Sequence, residues 1–200
     1  MLDSIPDRPG TRLADDADVD RGLVVRALDG DPRAFEELLE RHQARVLRVV
    51  RLLGVRPEDR EDVAQEVFVR VFRYLNGYRT RHAFAGWIYR VTVNAVHDHR
   101  GRDYRRGREE VQWTPNLEDS PLAAQEPRGG DQDLILRRRL EQALGVLSER
   151  ERAVFVLVEL EGLTTADVAR SLGITTITVR RHLGRARRSL QKTLRDPDGE

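Results

Sequence analysis

The sequence predicts an all-α protein of two small helical domains joined by a flexible linker. Three observations carry this. Apolar residues recur at spacings of three and four through residues 23–101, and again after residue 133. Between those stretches Pro115, Pro121, Pro127, Gly129 and Gly130 break every period. One segment alone, "VFVLVEL" at residues 154–160, has the β-branched content of a strand. It has helical neighbours and no partner strand, so the reading is helix.

The elements follow in chain order. Residues 1–22 are polar, acidic and contain Pro and Gly, which predicts a disordered tail. Asp31 and Pro32 stand where an N-cap and a first helical residue belong. Phe35, Leu38, His42, Val46, Val49 and Leu53 then mark one face, and Gly54 closes the helix. "VRPEDRED" turns the chain into a second helix with Val63, Val67, Val71, Phe72 and Leu75 inward. "NGYRTRHA" breaks it, and a third helix from Phe84 carries Phe84, Trp87, Ile88, Val91 and Ala95 on a stripe. These helices make one bundle over residues 23–101. Residues 102–132 read as linker, long for one that only joins packed domains. Leu134, Leu140, Leu144 and Leu147 open the second domain, residues 133–195, and residues 196–200 are a tail.

Composition narrows the function. The 200 residues carry 35 basic and 34 acidic side chains, a net charge of only +1 that hides strong segregation. Asp3 to Asp20 and Glu58 to Glu66 are acidic, Arg100 to Arg108 is basic, and Arg180 to Arg195 contains no acid at all. That pattern suits an anionic partner at one end and other partners elsewhere. Lys192 is the only lysine, so nearly all positive charge is guanidinium, a good fork for phosphates and guanine edges. No cysteine means no disulfide and no thiolate metal site. The N-terminus lacks a signal-peptide pattern and no apolar run approaches a membrane span, so a soluble cytoplasmic protein without membrane insertion is expected.

"GLTTADVARSLGITTITVRRHLGRARRSL" has the parts of a helix-turn-helix. Ala169 is small where the helices cross, and Gly173 suits a left-handed turn. Ile174 plugs the corner, Val168, Leu172, Val179 and Leu183 fill the space beneath, and Thr175 or Thr176 caps the second helix. Its outward face offers Thr176, Thr178, Arg180, Arg181, Gly184, Arg185 and Arg188 to base edges and phosphates in a major groove. The bland alternative is a hairpin whose arginines merely solvate a surface.

The first half separates DNA-binding classes. A response regulator would begin with alternating strands and helices, which residues 23–101 lack. Instead "EDREDVAQEVFVRVFRYL" and "FAGWIYRVTVNAVHDHR" resemble region 2 of the extracytoplasmic-function (ECF) sigma factors of bacteria, and the hairpin resembles their region 4. The resemblance covers Leu23 to Leu194, with the linker sequence outside it.

It implies a subunit that directs RNA polymerase to promoters, with no catalytic residue, cofactor or metal of its own. Asp62, Gln65, Glu66 and Phe68 match the face that docks on the β′ clamp helices of core polymerase, and region 4 would meet the β flap. "NGYRTRHAF", with Tyr78, Arg79 and Phe84, matches the loop that captures a base flipped from the −10 element, and Asn94 matches its pocket. Trp87 could add a surface for that base, although Phe84 and Trp87 are also spaced like core residues, and Arg90 and Arg100 would lie on phosphates. Arg180, Arg181 and Arg185 match −35 contacts, whereas Gly184 stands where relatives often carry a larger side chain. An anti-sigma protein is the implied regulator. Two rivals remain: a helix-turn-helix regulator that never docks on polymerase, and a metal-dependent hydrolase built on His97 and His99. The histidines are two apart, so on a helix they diverge.

Overall fold

The computed structural model describes residues 9–78, 83–105 and 131–195, and among these every regular element is helical. The first helix, α1 (Pro9–Leu28), corrects the expected tail. Leu23 and Val24 are buried, and the buried Asp20 carboxylate accepts from Arg41 Nε at 3.0 Å and lies 2.8 Å from His42 Nε2. Composition over residues 1–22 pointed to disorder because it weighs acids as solvent-facing. One of those acids is instead satisfied inside by partners on the next helix, which composition cannot show. Residues 1–8 lie outside the described part.

Helix α2 (Pro32–Leu52) starts as its sequence dictates, with Asp31 Oδ1 accepting from the backbone N–H of Arg33 and Ala34. It buries Leu38, His42, Val46, Val49 and Val50, and stops before Gly54, whose φ is +84°. A short 3₁₀ turn, Pro57–Asp59, leads into α3 (Arg60–Tyr74), which buries Val63, Ala64, Val67 and Val71. Phe72 departs from the expected inner face: it is 67% exposed, its ring edge-on to Phe35 at 5.3 Å. A residue one step past Val71 turns about 100° around the helix, and here that step leaves the core. Helix α4 (Phe84–Arg105) buries Phe84, Ile88, Tyr89, Thr92, Ala95 and Val96 against α2 and α3. It runs past the expected domain end at residue 101, and the expected linker beyond residue 105 lies outside the described residues until Asp131.

The C-terminal half packs α5 (Asp131–Gly145), α6 (Glu149–Phe155), α7 (Thr165–Leu172) and α8 (Thr176–Arg195). Ser148 and Glu151 form a capping box at the start of α6. "VFVLVEL" is helical as read, and its second part, Val156–Leu160, widens into a π-helical turn. Val154, Val156 and Leu157 are fully buried there, with Val168, Val179 and Ala186 closing the core from α7 and α8. The two halves touch: α7 lies against the start of α4, where Ser171 Oγ donates to the Gly86 carbonyl at 3.0 Å.

Candidate nucleic-acid interface

The hairpin is built by short-range chemistry. Thr164 caps α7 by accepting from the Asp167 N–H at 3.1 Å. Gly173 adopts φ +65° and ψ +32°, a left-handed turn that a side chain would strain. Thr175 Oγ1 then accepts from the Thr178 N–H at 3.1 Å, which settles the cap of α8 on Thr175. Val179, Leu183, Ala186 and Leu190 recur at helical spacing and are buried, so their side of α8 is fixed on the core. The opposite side is thereby turned to solvent.

That outward side carries the predicted readers. Arg180, Arg181, Arg185 and Arg188 are exposed, and Thr176 and Gly184 are half-exposed. A Cβ on Gly184 would stand 3.7 Å from the Arg188 guanidinium, an ordinary contact, so Arg188 lies alongside Gly184. Thr178 is less available: its hydroxyl is 2.9 Å from Thr175 Oγ1 and serves the turn. Arg187, on the flank, is tied to Glu159 through Nε at 3.2 Å. His182 is half-buried, and burial followed by the nearby Arg181 charge lowers its pKa below the usual histidine value, favouring the neutral ring. Sequence reasoning missed Ile177, which is 75% exposed on the stripe shared with Arg181, Gly184 and Arg188. The signal was present, since residue 177 precedes residue 181 by four and stands off the buried spacing of Val179, Leu183, Ala186 and Leu190.

The second set of predicted contacts is divided by the structure. Tyr78, Phe84 and Trp87 form one aromatic cluster, with ring centroids 5.4–5.6 Å apart, and Phe84 also meets the His42 ring at 5.0 Å. Phe84 is 1% exposed and Tyr78 7%, so both belong to the core here, and burial raises the Tyr78 phenol pKa. Arg79 lies outside the described residues. Trp87 is half-buried, while Arg90 and Asn94 are exposed four residues apart on one face of α4. Arg100 departs from the expected phosphate role: its guanidinium donates to the Leu53 carbonyl and pairs with Glu149 at 2.8 Å. A solvent-facing arginine and an internally bound one look the same in sequence.

On α3, Asp62 and Gln65 are exposed, and Glu66 is held by Arg70 Nε at 2.7 Å. Phe68 is partly buried against the core. The outward stripe through Asp62 and Gln65 continues instead to the exposed Val69 and Phe72. Around "HDH", His97 is exposed and His99 faces Asp59 at 3.5 Å. Among the described residues no three histidine or carboxylate groups gather as metal ligands, and no helix is long and apolar enough to cross a membrane.

The family models agree with this division of the chain: Sigma-70 region 2 matches residues 38–106 and Sigma-70 region 4 matches residues 137–190. RNA polymerase sigma factor CnrH of Cupriavidus metallidurans is 32% identical over 190 residues, covering 92% of this chain and 97% of that protein. ECF RNA polymerase sigma factor SigE of Mycolicibacterium smegmatis is 34% identical over 182 residues, covering 89% of this chain and 69% of that one. The chain belongs to the ECF sigma factors. The fold of this sigma factor is likewise similar to CnrH solved in complex with the cytosolic domain of CnrY, with a TM-score of 0.67, 27% identity, and coverage of 90% of this chain and 99% of that one. The sigma factor RpoE of Bartonella quintana, solved with the anti-sigma factor NepR, shares the fold at a TM-score of 0.63 and 20% identity.

Proposed function

We propose that this sigma factor directs core RNA polymerase to promoters through two DNA contacts on separate modules. Helix α8 enters the major groove of the −35 element with Arg180, Arg181, Arg185 and Arg188, flanked by Thr176. Helix α4 holds a base from the opened −10 element against Trp87 and Asn94, with Arg90 on the backbone and Tyr78 and Arg79 as further contacts. For Tyr78 and Phe84 to take part, the aromatic cluster must open, so in the free protein they serve as its packing. The α3 stripe of Asp62, Gln65 and Glu66 docks on the β′ clamp helices, and the C-terminal module meets the β flap. Polymerase supplies the chemistry, in the cytoplasm, and an anti-sigma protein of the kind seen with RpoE is the expected regulator.

The observation that carries this reading is the exposed guanidinium face of α8, held outward by a buried Val179–Leu183–Ala186–Leu190 side, on a chain that also has a region 2 module. The test is transcription from a promoter library by core polymerase with and without the purified chain. Promoter-selective transcripts that depend on the chain are expected, and their absence would end the proposal. Asp62→Arg should weaken polymerase binding several-fold while DNA binding by α8 persists. Equal polymerase affinity in that variant would remove the docking face. The rival regulator reading predicts tight operator binding by the protein alone.

A further inference from the structure

The solvent side of α8 holds one large side chain without a polar group. Ile177 stands in the first turn of the helix and is 75% exposed, and no large apolar side chain among the described residues is more exposed. It faces away from the core. At about 100° per residue it lies roughly 200° around α8 from Val179, the first member of the buried Val179–Leu183–Ala186–Leu190 side. By the same rule Arg181, Gly184 and Arg188 all fall within about 40° of it. Single exposed apolar groups are ordinary on a protein surface, so exposure alone would mean little. Position gives this one its meaning, because recognition helices reach base edges with the residues of their N-terminal turns.

The surroundings select what can cover it. Arg180, Arg181 and Arg185 are exposed around it, and residues 176–195 contain no acid. A partner that seats there is anionic at its rim and apolar at the point facing Ile177. Duplex DNA supplies both at one place: phosphates flank the major groove, and inside it the thymine C5-methyl stands out as an apolar group on a base edge. The polar side chains of the same turn are partly spent. Thr178 Oγ1 lies 2.9 Å from Thr175 Oγ1, which also accepts from the Thr178 N–H. Gly184, further along the stripe, has no side chain to offer a base. Ile177 is also ordered in advance. A β-branched side chain on a helix keeps one strongly preferred rotamer, so little freedom is lost when a base closes on it.

We propose that Ile177 is a specificity-determining residue of this sigma factor, packing on the C5-methyl group of a thymine in the −35 element. The proposal rests on the promoter-reading function above and adds a base that the arginines do not read. Four residues of helix separate Ile177 from Arg181, a rise of about 6 Å, and stacked base pairs are about 3.4 Å apart. The thymine therefore lies about two base pairs from the pair that Arg181 contacts. The two side chains divide the groove by chemistry. A guanidinium favours the acceptors of guanine, whereas Ile177 disfavours any base edge that sets a polar amino or carbonyl group against its methyls.

The test uses the full chain with core polymerase on a promoter that the pair selects. Each thymine of the −35 element is replaced in turn by deoxyuridine, which lacks only the methyl group. At one position, about two base pairs from the Arg181 site, deoxyuridine should lower promoter competition about three- to fivefold, the gain that burying one methyl group supplies. Ile177→Ala should bind the thymine and deoxyuridine promoters equally at that position. The residue is exposed and alanine is the better helix former, so the variant keeps the fold. A −35 element without thymine, or indifference to deoxyuridine at every position, would overturn the proposal. So would an Ile177→Ala chain that still distinguishes the two bases, since another side chain then reads the methyl. A fall in the affinity of Ile177→Ala for core polymerase without DNA would set the side chain against protein and overturn it too. If the wild-type chain gives no promoter-selective transcript, the promoter-reading function itself has failed; a selective transcript blind to the methyl sinks this contact alone.

Discussion

Arg187 and Arg188 are neighbours in sequence and do different work. Arg187 is held by Glu159 beside the core, while Arg188 lies free of any carboxylate among the described residues and points with Arg181 and Ile177 toward the solvent side of α8. For a guanidinium that reads a base edge, removal should relax one position of the promoter and leave the others unchanged. Arg181→Ala is therefore expected to cost about 1–3 kcal/mol of discrimination at one −35 base pair, read by competition among promoter variants. A uniform loss across sequences would make Arg181 a phosphate contact instead. His182 gives a pH prediction of definite sign. Its folded pKa lies below the unfolded value, so between the two the unfolded chain binds the extra proton. The stability it contributes is complete above the unfolded pKa near 6.5 and is lost as pH falls through that window. The urea midpoint of the wild type should thus fall more between pH 7 and 5.5 than that of His182→Gln. Parallel curves would mean His182 carries none of the acid sensitivity.

At the scale of elements, the hairpin stands on two threonine caps and one left-handed glycine. Thr175→Ala leaves the start of α8 without its acceptor and should lower stability by about 0.5–2 kcal/mol in denaturant unfolding. The π-helical turn at Val156–Leu160 is the element with the least local precedent. It brings Leu157 fully into the core and delivers Glu161, at the end of the segment, to Tyr89 and Arg48 of the other module. Leu157→Ala should cost about 2–5 kcal/mol, since a cavity there is enclosed on every side. Burial, then Glu161 itself, drives the Tyr89 phenol far above its ordinary pKa, so it stays a hydrogen-bond donor to that carboxylate at any working pH. Arg152, lowered to about 10 by burial and then by Arg100, remains charged at pH 7 and keeps its two carbonyl partners.

Across the whole molecule, α8 presents Arg180, Arg181, Arg185, Arg187, Arg188 and Lys192 to solvent, while Arg51 of α2 and Arg60 of α3 pair with the buried Glu141 of the C-terminal half. DNA binding without polymerase should therefore be weak and have a modest salt dependence. About four phosphate contacts give a log–log slope near −3.6. A much steeper slope would mean that arginines outside α8 also meet phosphates.

The sequence by itself determined the helical class, the order of the two matched regions, the turn at Gly173 and the polarity of α8. Each of these follows from local rules: period, cap, glycine and one-sided charge act within a few residues of one another. The tertiary structure alone decided which polar groups are spent inside. Asp20 went inward to His42, Arg100 to Leu53 and Glu149, and Glu161 to Tyr89, while Phe72 stayed out. Tyr78 read as a DNA contact and Phe84 as either a DNA contact or core packing, and both are buried for the same reason. Whether a charged or aromatic side chain faces water or a partner depends on groups up to 113 residues away, as between Arg48 and Glu161, and no pattern within one helix encodes that.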